Sequence, residues 1–410
     1  MSEEVDVLIV GGGSFGLNTA NHLNQLGIET RVVERDRLAG ATTTCGAGFV
    51  GFFSAGLAAN WGPEEVALES YAIDYYTHLY EKIGGYSFRN PGMLFLATNQ
   101  EAWSGRMKPI IDYAEKIPGA EVLDPAGVAK RGEIVDADHV VGGVYHPQAI
   151  QMVTGEALLA LGERLREEGV QVDERLEVSG LDVSDGRIRG VETEDGPIRA
   201  RRVVLATAMW TNTLLRGHAD PVANAPLGVV RINTEPLGLP ETMPMIMVPE
   251  EDVWIRQEAG ALRFGARYGG NHRDAMLDID PPAQIKEMPM DGIRQVEKIA
   301  EQLAPAIPPL RQYKEFDYIE GYPCYTPDQL PILGPIDGVE GLYVFTGDAE
   351  CGITHGPGGG RELARMLAGE PAEIDITRYR PNRFDQVWPS ARGVAEELRS
   401  RRPEIELTTG

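Results

Sequence analysis

The chain of 410 residues carries 62 acidic and 38 basic side chains, which gives a formal net charge of −24 at pH 7. This charge argues against nucleic acids and anionic membrane surfaces as partners. No apolar stretch approaches the ~18 residues that span a bilayer. The first predicted strand begins too close to Met1 to leave room for a signal peptide. We therefore expect a soluble cytoplasmic protein that is long enough to bury a large core and to fold as two lobes.

The three cysteines are far apart in the sequence, at Cys45, Cys324 and Cys351. They form neither a CxxC pair nor a disulfide framework. We therefore predict no metal centre, and three separated cysteines cannot hold an iron–sulfur cluster.

The N-terminal segment consists of an apolar run, a glycine-rich turn, a helical stretch and a second apolar run. Residues 7–10 precede the turn Gly-Gly-Gly-Ser-Phe-Gly at 11–16, and the second run ends on Glu34. This is the order of elements in a βαβ dinucleotide-binding unit. Its position at the N-terminus favours FAD, although these features alone do not separate FAD from NAD.

Each part of this unit has a predicted role. Gly11 allows the tight turn, Gly13 lets backbone N–H groups reach the pyrophosphate, and Gly16 lets the helix pack closely on the strand. The helix start faces the phosphates with its partial positive charge. Glu34, at the end of the second strand, accepts hydrogen bonds from both ribose hydroxyls and would repel a 2′-phosphate. Three neighbours are predicted to contact the dinucleotide as well: Ser14, Phe15 and Arg35.

Small and hydroxyl residues fill the segment 40–51. Such a loop can run flat beside a planar ring, with hydroxyls that reach phosphate or ribityl oxygens. A plain glycine-rich turn is the alternative. The predicted cofactor contacts in this loop are Thr42, Thr43, Cys45, Gly46, Ala47 and Gly48.

A second set of patterns lies in the middle and at the end of the chain. Residues 325–335 read YTPDQLPILGP, and they precede a predicted strand at Leu342–Thr346, a glycine-containing turn at 347–357 and a predicted helix at 360–367. Residues 205–210, LATAMW, are typical of a strand that ends in a turn. Residues 145–172 indicate a turn, an amphipathic helix and a strand.

Together with the N-terminal unit, these patterns resemble the D-amino-acid-oxidase superfamily of FAD-dependent amine oxidoreductases. The resemblance is closest to its sarcosine and dimethylglycine oxidase and dehydrogenase branch. It implies an α/β fold with a Rossmann-like FAD-binding domain and a discontinuous, α+β substrate domain built on a β-sheet. The implied FAD-binding domain comprises residues 1–75, 140–215 and 318–410. The implied substrate domain comprises residues 76–139 and 216–317, and alternation predicts a β-hairpin in it, with strands at 253–256 and 262–267 around a polar turn at 257–260.

The resemblance places the turn at 352–356 before the last major helix, against the N1/C2=O edge of the flavin. Free N–H groups and the helix dipole there favour acceptance of a hydride at flavin N5. The remaining implied cofactor contacts are Val178, Ala206, Thr207, Trp210, Gly347, Asp348, Gly352, Ile353 and Thr354.

The chain departs from its look-alikes in the groups that bind substrate. Relatives hold the substrate carboxylate with an arginine before the proline–x–threonine motif, where this chain has Pro323, or with a lysine in the late turn, where it has Thr354. Replacement cations could come from the substrate lobe, although each is more often a surface charge: Arg256, Arg267, His272 and Arg273. Tyr268 and Trp254 are candidate cavity walls that core packing explains equally well.

The late turn instead offers acidic groups. The predicted catalytic candidates are Glu350, His355 and Thr354. Asp348 and Glu350 would suit a cationic amine without a carboxylate, or with one at a distance. Asp348 could equally bind ribityl hydroxyls, Glu350 could be a solvated loop charge, and His355 could be a packing residue.

Covalent attachment of FAD is a feature of several relatives. Cys45 aligns with a linking histidine of the dimethylglycine-oxidising group, whereas Gly321 stands at the position of the linking cysteine of monomeric sarcosine oxidases, three residues before Cys324. Neither match is complete, so we expect non-covalent FAD.

The leading hypothesis is FAD-dependent oxidation of a secondary or tertiary amine, such as an N-methylated glycine derivative. Oxygen or another electron-transfer acceptor would reoxidise the flavin. One alternative is an NAD(P)H-dependent flavin hydroxylase or reductase, which the lack of a second dinucleotide motif disfavours. Another is the flavin-bearing subunit of a larger amine dehydrogenase, and the sequence leaves homo- and hetero-oligomers open.

Overall fold

The structure is a computed structural model, and it describes residues 4–52, 62–266, 276–282, 293–314 and 316–401. Its α-helices are α1 (Ser14–Gln25), α2 (Thr42–Cys45), α3 (Pro63–Ile83), α4 (Gln100–Ser104), α5 (Met107–Ala114), α6 (Pro125–Gly132), α7 (Thr154–Glu167), α8 (Thr211–Leu215), α9 (Ile293–Leu303), α10 (Gly352–Ala368) and α11 (Ala391–Arg401). Among the described residues, no helix is both long and apolar enough to cross a membrane.

The first half of the chain contributes the strands β1 (Val5–Val10), β2 (Thr30–Glu34), β3 (Phe49–Val50), β4 (Phe88–Arg89), β5 (Met93–Ala97), β6 (Glu121–Leu123), β7 (Gly142–His146), β8 (Ile150–Met152), β9 (Gln171–Glu174), β10 (Val178–Ser184), β11 (Arg187–Thr193) and β12 (Ile198–Leu205). The second half contributes β13 (Ala225–Pro226), β14 (Val229–Pro236), β15 (Met245–Val248), β16 (Val253–Glu258), β17 (Ala261–Ala266), β18 (Phe316–Gly321), β19 (Cys324–Tyr325), β20 (Ile332–Pro335) and β21 (Leu342–Thr346).

The first sheet has a parallel centre, in the order β9-β2-β1-β12-β21. Val10 pairs with Val33 on one side and with Leu205 on the other, and Leu205 pairs with Val344. The carboxyl ends of these strands therefore lie at one edge of the sheet, where ligands of open α/β sheets bind. The predicted order of β1, α1 and β2 and the predicted strand β21 are confirmed.

Both faces of this sheet are buried, as is typical of parallel strands. Val7 and Ile9 pack in a core with residues of α1, α3, α7 and α10. Leu8 and Val10 point to the opposite face, where α11 covers the sheet. The alternating side chains of β1 thus pack against helices on both faces of the sheet.

Helix α10 begins at Gly352, eight residues earlier than predicted, and it contains Pro357. Residues 352–356 are therefore its first turn rather than a preceding turn, and α11 follows it. The glycines of α10 allow a close contact with α1. A Cβ atom at Gly356 would lie 2.7 Å from Ser14 Oγ, and one at Gly360 would lie 2.8 Å from the backbone nitrogen of Thr19. Pro357 removes a single N–H group in the second turn, which the packing tolerates.

The second sheet is mixed, in the order β18-β14-β17-β16-β15-β5-β7-β6. Ile232, Ile246 and Ile255 point to one face and pack in a core with α9. The predicted hairpin is confirmed as β16 and β17. Its turn is the two residues Ala259 and Gly260, both with positive φ (51° and 77°), which suits the right-handed twist of the strands.

The second sheet takes its strands from residues 93–146 and 229–321. Strand β7 lies in this sheet, just beyond the boundary at 140 that the sequence suggested. The mixed α/β class is confirmed, and the division into two lobes with those boundaries stays a prediction.

Candidate active site

A large cavity opens at the carboxyl edge of the parallel strands and extends to the second sheet. It brings together nearly all of the predicted cofactor contacts. Those that line it are Gly11, Gly13, Ser14, Phe15, Glu34, Arg35, Thr42, Thr43, Cys45, Gly46, Ala47, Gly48, Val178, Ala206, Thr207, Trp210, Gly347, Asp348, Gly352, Ile353 and Thr354. Glu350 lines it as well, whereas Gly16 and His355 do not.

The glycine-rich turn has the geometry that a dinucleotide needs. Gly11 has a φ of 111°, and a Cβ atom there would lie 2.3 Å from the Ala206 carbonyl oxygen. A Cβ atom at Gly16 would lie 1.9 Å from the Gly11 oxygen, so Gly16 acts in packing and stays outside the cavity. Gly13 is the N-cap residue of α1 and has no side chain to cap it, which leaves the helix start available to a phosphate.

The end of β2 presents a carboxylate. Glu34 accepts hydrogen bonds from the N–H groups of Gly12 (2.8 Å) and Asp36 (3.0 Å), one on each oxygen. Burial raises the pKa of the Glu34 carboxyl, although these two bonds and the charge of Arg35 oppose the shift. Each carboxylate oxygen has a second lone pair for a ribose hydroxyl.

The early loop is a short helix, α2, and its hydroxyls bind protein as well as line the cavity. Thr43 Oγ1 accepts from the Ser14 N–H at 3.2 Å, and Thr42 Oγ1 donates to the Tyr322 carbonyl oxygen at 3.3 Å. A Cβ atom at Gly321 would lie 2.8 Å from Cys45 Cβ. The two positions that the resemblance associates with covalent flavin attachment are therefore neighbours. Burial raises the pKa of the Cys45 thiol to about 11, against the opposing charge of Arg231.

The late turn holds a buried acid–histidine pair. Asp348 Oδ1 lies 2.9 Å from His355 Nδ1, and both side chains are 1% exposed. Burial disfavours the imidazolium, but the carboxylate of Asp348, with those of Glu69 and Glu65, outweighs it and raises the pKa of His355. Asp348 Oδ2 is buried and has no hydrogen-bond partner among the described residues.

His355 therefore lies behind Asp348 and not in the cavity wall, and its catalytic role stays a prediction. Its hydrogen bond orients the Asp348 carboxylate, and Asp348 lines the cavity. Glu350 is half-buried, and the hydroxyl of Tyr325 donates a hydrogen bond to Glu350 Oε1. Thr354 is buried and lines the cavity near them.

The second sheet supplies the opposite wall. Trp254, a predicted wall residue, lines the cavity together with residues that the sequence analysis missed, among them Arg231, Met247 and Tyr322. The signal for Arg231 was the alternation of β14, in which Val230 and Ile232 are buried in the core while Arg231 points to the other face. Without knowledge of which strands are neighbours, the sequence does not show whether that face of β14 meets a cavity or solvent.

Arg256 is 2% exposed, so its interpretation as a surface charge is wrong. It is held by two contacts: its Nε donates to the Ala47 carbonyl oxygen at 2.5 Å, and its Nη2 forms an ion pair with Glu258. It does not line the main cavity. The other candidates of the substrate lobe lie outside the described residues: Arg267, Tyr268, His272 and Arg273.

A glycine turn before a helix, a carboxylate at the next strand end and a deep cavity at the carboxyl edge of a parallel sheet define a dinucleotide-binding protein. The chain matches the family described as FAD dependent oxidoreductase over residues 6–366. It belongs to this family, and the resemblance predicted from its motifs is confirmed.

Two curated relatives show the breadth of the similarity. Mitochondrial dimethylglycine dehydrogenase of Rattus norvegicus is 25% identical over 408 residues, which cover 97% of this chain and 47% of that protein. The 4-methylaminobutanoate oxidase (formaldehyde-forming) of Paenarthrobacter nicotinovorans is 26% identical over 440 residues, covering 99% of this chain and 50% of that protein. The chain thus spans about half the length of the curated relatives it matches. The crystal structure of L-proline dehydrogenase from P. horikoshii shares the fold, with a TM-score of 0.80 at 23% identity over 94% of this chain and 99% of that one.

FAD is the cofactor of this family, and the residues of the cavity fit it. The start of α1, whose N-cap residue is a glycine, suits the pyrophosphate, Glu34 suits the ribose, and the buried Asp348 Oδ2 offers an acceptor to a ribityl hydroxyl. The guanidinium of Arg35 stacks 3.9 Å from the ring centre of Trp210, which ties the ends of β2 and β12 together beside Glu34.

The purified protein is expected to release FAD on extraction, and Glu34→Ala should weaken FAD binding at least about 10-fold. The reason is that a hydrogen bond to a charged acceptor contributes about 1.5–3 kcal/mol. Titration of the apoprotein with FAD, followed by flavin fluorescence, measures this. Glu29→Ala, at an exposed position directly before β2, removes the same charge and should leave the affinity unchanged. An unchanged affinity in Glu34→Ala would contradict the ribose contact.

Proposed function

We propose that this chain oxidises a secondary or tertiary amine of the N-methylated amino-acid type, with hydride transfer from the α-carbon to flavin N5. The observation that carries the proposal is one cavity with two kinds of wall. The predicted cofactor contacts form the first, and the second sheet, with Trp254 and Met247, forms the other. The relatives named dimethylglycine dehydrogenase and 4-methylaminobutanoate oxidase support this substrate class.

Bound FAD would supply the hydride acceptor, and the protein would hold the amine near it, where the free base is the form that reacts. Glu350 is the group proposed to attract the ammonium, because it is a half-buried carboxylate in the cavity wall and Tyr325 holds it in place. The apolar surfaces of Trp254 and Met247 would exclude water from the reacting carbon. The start of α10, at Gly352 and Ile353, would present N–H groups and a positive dipole end to the edge of the flavin that becomes negative.

We also propose that the flavin is bound without a covalent link. A thiol whose pKa is raised to about 11 by burial forms little of the thiolate that attacks carbon. Acid precipitation should therefore leave the yellow colour in the supernatant. Colour that stays in the pellet would contradict the proposal, and its loss in Cys45→Ser, with retention in Cys324→Ser, would locate the link.

The test of the function is anaerobic mixing of the holoprotein with a panel of N-methylated amino acids, simple amines and NADPH. We expect the flavin absorbance to bleach with N-methylated amino acids and to remain with NADPH. Readmission of air then measures how fast oxygen restores the colour. Bleaching by NADPH alone would favour a reductase and contradict amine oxidation.

Glu350→Gln should weaken binding of a cationic amine about 10-fold and lower the apparent pKa of the reductive step by about one unit. A carboxylate beside the bound amine stabilises its ammonium form and so raises its pKa, and one pKa unit corresponds to about 1.4 kcal/mol. The acid limb of the pH profile should therefore move to lower pH in the variant. Stopped-flow flavin reduction across the pH range measures both effects.

Two further variants control this experiment. Glu396→Gln removes the same charge from an exposed position on α11 and should change neither value. Asp348→Asn should mainly reduce flavin retention, because Asp348 is proposed to hold the ribityl chain. Unchanged affinity and pH profile in Glu350→Gln would show that Glu350 does not contact the amine.

A further inference from the structure

We propose that Arg231, on β14, binds the carboxylate of the substrate, and that the cavity selects amines that carry one. This inference rests on the proposed amine oxidation. It assigns the anion-binding role to a strand of the second sheet, since the two loop positions that hold a cation in look-alike sequences are Pro323 and Thr354 here. Both of these residues line the same cavity and neither can carry a positive charge.

The register of the second sheet places Arg231 in a row with the apolar wall residues. Arg231 pairs with Gly265, Gly265 pairs with Trp254, and Trp254 pairs with Met247 on the next strand. Residues that pair in this way point to the same face of an antiparallel sheet. Arg231, Trp254 and Met247 all line the cavity, so Arg231 is the charged member of an otherwise apolar row.

Gly265 leaves the gap across which Arg231 and Trp254 face each other. A Cβ atom at Gly265 would lie 2.9 Å from Cζ2 of Trp254, so the indole lies over the glycine. The row therefore offers a flat hydrophobic surface beside a guanidinium. This combination suits a small molecule with an alkyl part and an anionic end.

The guanidinium of Arg231 retains hydrogen-bonding capacity. Its Nη1 donates to the Gly46 carbonyl oxygen, and its buried Nε has no hydrogen-bond partner among the described residues. No ion pair is formed by Arg231 in the described part of the chain. The carboxylates of Glu258 and Asp317 line a second cavity together with Arg231, and Glu258 is paired there with Arg256 and Arg263. Arg231 is half-buried. Taking part of a guanidinium out of water without a carboxylate partner is costly, and an anionic ligand would reduce that cost.

The cavity therefore has a cation on the sheet wall and a carboxylate, Glu350, on the wall of the late turn. An N-methylated amino acid at neutral pH has the complementary pair, an ammonium and a carboxylate. Binding both ends orients the carbon between them, whereas an amine without the carboxylate would be held at one end only. Selectivity for the zwitterion follows from this arrangement.

The test compares two matched substrates in anaerobic flavin reduction. N,N-Dimethylglycine carries the carboxylate, and N,N-dimethylethylamine replaces it with a methyl group. In Arg231→Met the Kd for dimethylglycine should rise about 100-fold, as expected for the loss of charge-assisted hydrogen bonds, while the Kd for dimethylethylamine changes less than about 3-fold. Arg231→Lys should give an intermediate value, because it keeps the charge and loses the planar fork.

Arg263→Gln is the matched control. It removes a positive charge from the same face of the sheet, on the adjoining row where Arg263 pairs with Asn233 and Arg256, and it should keep the wild-type preference for dimethylglycine. Equal weakening of both substrates in Arg231→Met would overturn the proposal and leave Arg231 as the support of Gly46. The FAD content of each variant identifies a general loss of structure.

Binding of acetate separates this proposal from the proposed function. Acetate should perturb the flavin absorbance of the wild-type holoprotein, and Arg231→Met should abolish this. If no amine reduces the flavin while the acetate response still depends on Arg231, amine oxidation fails and the anion site stands. If amines reduce the flavin but neither acetate nor dimethylglycine depends on Arg231, the anion site fails and amine oxidation stands.

Discussion

The parallel pairing of β1 with β2 and β12, extended by β21, is the constraint on which the candidate site depends. Because these strands run in the same direction and in register, the segments that follow Val10, Glu34, Leu205 and Thr346 leave the sheet at one edge. Residues separated by hundreds of positions thereby line one cavity. A shift of one residue in any of these pairings would move one turn away from the others. It would also move every side chain of that strand to the opposite face of the sheet.

The second sheet imposes a different order on the same cavity. Its side chains alternate between a core packed on α9 and a face directed at the cofactor edge. On that face an apolar row that includes Trp254 adjoins a charged row that includes Arg256 and Arg263. The register of β14, β17 and β16 thus sets the boundary between the apolar and the charged surface. Arg231 lines the large cavity and also a second cavity, which Arg256, Glu258 and Arg263 line as well.

Much of the fold could be predicted from the sequence, because the relevant patterns are local. The turn at Gly11, the carboxylate at Glu34 and the hairpin of β16 and β17 each depend on residues within a short segment. The start of α10 could not, since Gly356 and Gly360 reduce helix propensity and only their contact with α1 compensates. Arg231 was missed for a similar reason: which face of a strand meets a cavity depends on neighbours that are distant in sequence.

The contact between α1 and α10 has a consequence for how this protein can diversify. The start of α1 is proposed to hold the pyrophosphate of FAD and the start of α10 to face the edge of its flavin ring. The two helices touch through glycines of α10, with backbone atoms nearly in contact. Their spacing is therefore set by main-chain dimensions and is insensitive to most side-chain exchanges. Sequence change can be concentrated in the second sheet, where we propose that the substrate binds, without disturbing the spacing of these two helices.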